Sequence, residues 1–146
     1  MAGAQRSRVA VVAALVLAVG VVGYVLLGVG GGGYTVHARF PDAHRAWGET
    51  PATATWPGAE TLAAVRARAL QGLQALRAVH TGQTICLVSH GITARLLILE
   101  ALGLGPERLW TFHLSSTGIS ELEFREDWTT LHRMNSLIHL ADHAIA

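Results

Sequence analysis

From Val9 to Val29 the chain carries no charged residue, and almost every position is Val, Ala, Leu or Gly. A helix rises about 1.5 Å per residue, so this run would span roughly 30 Å, the hydrocarbon thickness of a bilayer. Arg6 and Arg8 precede it, and no cation comes after it before Arg39. By the positive-inside rule this predicts a cytoplasmic N-terminus over residues 1–8, a single transmembrane helix or signal anchor over 9–29, and export of the chain from residue 30 onward. The same features describe a long signal peptide, with the small residues Gly28 and Gly30 near a cleavage point. The run exceeds a usual signal-peptide core, which favours the anchor. Residues 30–36 open with four glycines and no Gly-Lys-Ser/Thr ending, so they read as a flexible linker and not as a phosphate loop.

Outside that run the composition is that of an ordinary globular chain. Over all 146 residues, 51% are hydrophobic and 14% charged, too apolar for a disordered chain. A net charge of +1 gives no electrostatic reason to expect nucleic acid. Every cation is Arg, which suits phosphate geometrically but is explained more simply by codon bias in an Ala-, Gly- and Arg-rich sequence. The single cysteine, Cys86, excludes an internal disulfide and lies in an apolar run where a buried thiol is expected.

Hydrophobic periodicity organises the remainder. A short helix is predicted around Ala43 to Trp47, then a Pro/Thr/Ala loop ending at Pro57-Gly58. Thr61 is positioned to cap a helix whose apolar stripe is Leu62, Val65, Ala69, Leu73 and Leu76, with Arg66, Arg68, Gln71 and Arg77 mainly off it. Thr81-Gly82 ends it. Thr84 to Val88 is a continuous apolar run, as in a central strand buried on both faces of a parallel sheet. Ile92 to Leu102 reads as a helix stopped by Gly103. Gly118 to Phe124 and Trp128 to Arg133 read as strands joined by a turn at Glu126-Asp127.

Between the buried strand and the next helix stand Ser89, His90 and Gly91. A strand–turn–helix order places the turn at the carboxyl edge of the sheet, where α/β proteins hold ligands. Free N–H groups and the helix dipole attract anions there. Imidazole at such a point can donate to a phosphoryl oxygen, glycine permits close approach, and serine adds a hydroxyl. By itself a Ser-His-Gly triplet is weak, since a lone histidine is more often a structural hydrogen-bonding residue. His139 and His143 are four apart with Asp142 between them, but no third ligand is evident, so no metal and no cofactor are expected.

Several motifs in order resemble the histidine-phosphatase (phosphoglycerate-mutase-like) superfamily. Pro57-Gly58-Ala59-Glu60-Thr61 leading to Val65-Arg66-Ala67-Arg68 is similar to its Gly-Glu-Ser helix start. Leu87-Val88-Ser89-His90-Gly91 with Arg95 is similar to its second histidine motif. Leu102-Gly103-Leu104, Pro106, Leu109-Trp110, Leu114-Ser115-Ser116-Thr117 and Leu122-Glu123-Phe124 continue the match, and Phe40 to Trp47 resembles the helical insertion ahead of it. The likeness is greatest to the alpha-ribazole and broad-specificity phosphatase branch.

The resemblance implies a three-layer α/β/α domain, here truncated over residues 37–146, and hydrolysis of a phosphorylated small molecule. In that family a histidine in an N-terminal Arg-His-Gly motif takes up the phosphoryl group, and a second histidine, two arginines and an acid complete the pocket. Only the second histidine is matched, by His90. The chain has no Arg-His-Gly; His90 is its only histidine preceding a glycine. Arg39 and Arg45 lie outside the matching context, and Glu60 belongs to the helix start more than to a proton donor. The resemblance thus implies that the first strand of the sheet is missing with the nucleophile half. Three readings are open: a membrane-tethered remnant of low activity, an active phosphatase whose first half is lost from this sequence, or a non-catalytic module binding a phospho-ligand or a protein.

Overall fold

Val9, Val11 and Val12 are β-branched residues, which favour extended backbone, and Ser7–Ala13 forms a strand, β1. The computed structural model describes residues 7–13 and 37–143. After β1 come α1 (Pro41–Glu49), α2 (Leu62–Val79), β2 (Thr84–Ser89) and α3 (Gly91–Ala101). A 3₁₀ turn at Pro106–Arg108, strands β3 (Ile119–Phe124) and β4 (Thr129–Ser136), and a second 3₁₀ segment, Ile138–His143, complete the order.

The transmembrane helix expected over 9–29 does not begin at Val9: residues 9–13 belong to the sheet. Residues 14–29 and the 30–36 linker lie outside the described residues. Among the described residues no helix is long and apolar enough to cross a membrane. The misreading has a physical source: a strand buried at the centre of a sheet and a membrane helix both appear as uninterrupted apolar runs. The expectation that the first strand is missing is overturned with it.

The sheet order is β2-β1-β3-β4. β1 runs parallel to β2, with Val9 opposite Ile85 and Ala13 opposite Ser89. On its other side it runs antiparallel to β3, with Val9 opposite Leu122 and Val12 opposite Ile119. β3 and β4 form the predicted hairpin, closed by the Arg125 N–H donating to the Trp128 carbonyl. Among the described residues β1 lies between β2 and β3, and β2 has a strand neighbour on one side. Thr84, Cys86 and Val88 are exposed and Ile85, Leu87 and Ser89 half-buried, so the sequence run overstated its burial. Cys86 is an exposed thiol, not a buried one.

One face of the sheet is covered. Val9, Leu122 and Phe124 meet Ala69 and Leu73 of α2 and Ala94, Leu97 and Ile98 of α3. The rest of α3's apolar surface, Leu96 and Leu99, packs with Leu62 and Leu109. α3 is therefore buried nearly all round, as an apolar helix must be. Thr61 caps α2 as expected, its hydroxyl accepting from the Ala64 N–H at 3.2 Å. α3 ends at Gly103, whose φ of +69° only glycine adopts without strain. The described helices lie on this one side, so the described residues form two layers of the expected three.

On the opposite face, charges replace the apolar contacts. Glu123, 2% exposed, accepts from Arg125 at 2.9 Å and from His132 Nε2 at 2.8 Å, with Arg8 of β1 at 3.8 Å. Arg8 and Arg133 also approach Glu121, at 3.9 and 3.8 Å. Arg8, expected to be a cytoplasmic flanking charge, thus ties β1 to β3. The His132 hydrogen bond, and then Arg125 and Arg8, hold the Glu123 carboxyl below the usual carboxylate range.

Two outcomes are expected. Val9 is fully buried, so Val9→Ala should cost roughly 2 kcal/mol in denaturant unfolding; no loss would remove β1 from the core. Since the folded Glu123 pKa is depressed, its contribution is full above the unfolded value of about 4.3. That contribution disappears as pH falls through the folded value. Glu123→Gln should therefore lower Tm at neutral pH and make the acid limb of a Tm–pH profile shallower.

Candidate active site at the carboxyl edge of the sheet

β2 ends at Ser89, and the next residue, His90, is the N-cap of α3, with extended backbone at φ −84° and ψ 156°. Its carbonyl accepts from the Ala94 N–H at 2.8 Å, while its ring makes no capping hydrogen bond. The N–H groups of Gly91, Ile92 and Thr93 find no acceptor among the described residues. The half-buried imidazole therefore stands beside a helix terminus whose partial positive charge is uncompensated. Gly91 is exposed, and an added Cβ there would meet nothing within 4 Å. Neighbouring protein atoms do not demand glycine at this point.

The parallel register brings the carboxyl end of β1, Ala13, next to Ser89. β3 runs the other way, so the loop before it, Ser115 to Gly118, reaches the same edge of the sheet. That loop is built to hold one shape. Asn135 Oδ1 accepts from the Ser115 N–H at 2.8 Å, and Asn135 Nδ2 donates to the Ser115 hydroxyl at 3.2 Å. The Asn135 N–H donates to the Ser120 hydroxyl at 3.0 Å. A Cβ at Gly118 would lie 2.0 Å from Asn135 Oδ1, so a side chain there would displace the Asn135 amide from its place. Thr117 sits at φ +64°, strained for a β-branched residue, with its hydroxyl donating to the Ser116 carbonyl at 2.6 Å. With strands about 4.8 Å apart, this loop lies two strands, about 10 Å, from β2. The end of β1 fills the interval.

Arg95, part of the matched histidine motif, turns inward. Its guanidinium donates to the carbonyls of Leu109 and Phe112 at 3.1 and 2.6 Å and lies 5.0 Å over the Trp110 ring. Trp110 in turn donates to the Trp47 carbonyl at 2.8 Å. Burial pulls the Arg95 pKa below its usual range. Arg95 thus fixes the segment leading to His113 and the 115–118 loop. Glu60 pairs with Arg68 at 2.9 Å, the structural part expected of it, and Arg66 pairs with Glu100.

Other candidates are not gathered at His90. Arg45 pairs with Asp42, Arg39 lies over Phe40, and the His37 and His44 rings touch each other at 5.1 Å. Cavities of about 490 and 300 Å³ are lined by Arg39, Phe40 and Trp56, and by Arg77, Phe124 and Trp128; His90 lines neither. His139 and His143 fall in a 3₁₀ segment and not in the α-helix that a pairing at that spacing would need. Among the described residues no three His, Cys, Asp or Glu side chains are grouped to hold a metal ion. Sequence reasoning missed Asn135 as the loop's lock; no local pattern marks it, and its φ of +49°, tolerated best by Asn after Gly, is visible only in the fold.

The sequence profile of the histidine phosphatase superfamily (branch 1) matches residues 31–137. The chain belongs to this superfamily. It is 28% identical over 107 residues to phosphoserine phosphatase 1 of Hydrogenobacter thermophilus, covering 73% of this chain and 51% of that protein. Its fold is shared by Bacillus stearothermophilus YhfR, with TM-score 0.67, 20% identity, and 72% of this chain and 52% of that one covered. The alpha-ribazole phosphatase from Shigella flexneri gives TM-score 0.58 at 22% identity, covering 70% and 51%. The chain spans about half the length of these relatives. The phosphoglycerate-mutase-like α/β fold and the likeness to alpha-ribazole and phosphoserine phosphatases, the fold and the first of these read from the motifs, hold.

If Arg95 fixes the 109–112 segment, Arg95→Met should cost on the order of 2 kcal/mol and red-shift Trp110 emission as the ring is released. Unchanged stability and emission would leave Arg95 without this role.

Proposed function

We propose that the His90 edge is the phosphate-holding part of a phosphomonoester site, and that the chain as it stands binds a phosphorylated small molecule without turning it over quickly. The supporting observation is the placement of His90: an imidazole without a capping bond, at the end of a strand, beside three helix N–H groups with no acceptor among the described residues. These groups suit the oxygens of a phosphoryl group, with Ser89 adding a hydroxyl close by. The relatives named as phosphoserine and alpha-ribazole phosphatases support a small phosphomonoester as the ligand class.

Turnover needs more. Phosphoryl transfer requires a nucleophile in line with the leaving oxygen and cations around the equatorial oxygens. The sequence after Ala13 is Ala14-Leu15-Val16-Leu17, with neither a nucleophile nor a cation, and no Arg-His-Gly occurs elsewhere. Binding without these groups stabilises bound substrate and not the transition state.

The test is the full chain assayed with an aryl phosphate, with inorganic phosphate titrated into it and into His90→Ala by NMR. Weak phosphate binding that disappears in His90→Ala, with turnover several orders of magnitude below the roughly 10 per second of a median enzyme, is expected. Turnover on the order of one per second that vanishes in His90→Ala would overturn the proposed inactivity. It would also direct the search for a nucleophile to His37, His44 and His113. Phosphate binding unaffected by His90→Ala would remove the site.

A further inference from the structure

At the amino edge of the sheet, away from His90, a cavity of about 300 Å³ lies between the ends of α2 and α3 and the β3–β4 turn. Phe124, the last residue of β3, lines it and pairs with Ser7 at the start of β1, which fixes the edge. α3 joins the two places: His90 is its N-cap, and Ala101, its last residue, lines the cavity. Eleven residues of helix set them about 16 Å apart. The cavity is thus separate from the edge at which His90 stands. Its volume is at the low end of the roughly 300–1,000 Å³ of small-molecule sites.

Its charges are unevenly matched. Arg77 is half-buried, and its guanidinium lies 4.2 Å over the Phe124 ring. A guanidinium held on an aromatic face keeps its in-plane N–H donors for other partners. Among the described residues no carboxylate lies within ion-pair distance of Arg77, and no cation lies within that distance of Glu126 or Asp127. The other charges at the cavity are paired: Arg125 with Glu123 at 2.9 Å, and Glu100 with Arg66. One cation and two carboxylates therefore line the same cavity without pairing. Leu70, Leu73 and Ala101 supply an apolar part of the wall, and the Trp128 indole is 55% exposed. Each simple ligand class fails on one of these features. An anion suits Arg77 but meets two like charges at the turn. A cation suits Glu126 and Asp127 but leaves Arg77 half-buried and uncompensated. An uncharged apolar molecule leaves all three without partners. We infer that the cavity binds a free α-amino acid with an apolar side chain. Its carboxylate meets Arg77, its ammonium meets the Glu126-Asp127 turn and the Trp128 ring, and its side chain lies on Leu70, Leu73 and Ala101.

The probe is L-leucine, titrated into the full isotope-labelled chain while the Trp128 indole and the Phe124 to Thr129 amides are followed by NMR. Expected is a saturable shift centred on these signals, with a Kd in the millimolar range or below. Isocaproate, which lacks the ammonium, and isoamylamine, which lacks the carboxylate, should each bind at least about tenfold more weakly. Arg77→Met keeps an apolar stem on Phe124 and should weaken L-leucine binding by a similar factor. Glu126→Gln combined with Asp127→Asn should do the same, and as exposed turn residues these leave the fold intact. His90→Ala should leave L-leucine affinity unchanged, which separates this cavity from the proposed phosphate site. The proposal is overturned by the absence of a saturable shift, or by either analogue binding as well as L-leucine. Wild-type affinity in the Arg77 or the turn variant, or loss of L-leucine binding in His90→Ala, overturns it as well.

Discussion

The hydrogen-bonded ladder of Ser7–Ala13 decides what the rest of the chain can be. β1 is bonded on both sides, parallel to β2 and antiparallel to β3, and Val9 is fully enclosed between Ile85, Leu122 and the helices. Without it, β2 would face the β3–β4 hairpin across an empty strand position, joined only through the helical layer. Its backbone groups, at the centre of the sheet, would have nowhere else to pair. Arg8 reinforces the placement by reaching Glu121 and Glu123 on the face away from the helices. The same ladder fixes the candidate site, since only through β1 do His90 and the 115–118 loop share one sheet edge.

How much of this was legible in the sequence depended on whether the signal was local. Thr61 announced its cap, Gly103 its positive φ, and the 3.6-residue stripe of α2 its buried face. Each depends on a few neighbouring residues. The order strand, Ser89-His90-Gly91, helix was equally local, and so was the hairpin with its turn at Glu126-Asp127. What failed was context. Val9 to Ala13 is apolar because it lies mid-sheet, and an apolar run does not reveal whether the medium around it is protein or lipid. Thr84 to Val88 looked central for the same reason, yet among the described residues it has a strand neighbour on one side only. The difference is set by which strand comes to lie beside it, and that partner was hidden in a segment read as membrane helix.

The site was legible in part, for a related reason. His90 is marked by a strand–turn–helix pattern contained in the sequence around it. Arg95, four residues after Gly91, looked like a member of the same motif. Its actual partners, the carbonyls of Leu109 and Phe112, are fourteen and seventeen residues away. Only the three-dimensional path of the chain brings them under the guanidinium. Asn135 and Ser115 are twenty apart, and their bonds shape a loop that neither residue's neighbours foretell. Residues that support a site through such long-range contacts leave little trace in a single sequence.

The division of labour along this edge has a consequence for how catalysis by such a fold must be arranged. Helix amides and a neutral or protonated imidazole stabilise negative charge whether it sits on substrate, transition state or free phosphate. An edge built of these alone therefore treats all three alike, and uniform binding does not lower the barrier. Discrimination arises when a nucleophile attacks along the line of the leaving oxygen and positive groups meet the charge that spreads over the equatorial oxygens. Both must stand opposite the anchoring groups, across the phosphorus. In this sheet the position facing His90 is governed by the end of β1, the adjacent parallel strand. On the proposed reading, reactivity at this edge is set less by His90 than by the residues directly after Ala13, and there the sequence offers Ala14, Leu15, Val16 and Leu17. None of these residue types carries a nucleophilic atom or a charge. Restoring a nucleophile there requires a cation beside it, because a neutral histidine alone would meet an anionic substrate with nothing to offset the charge.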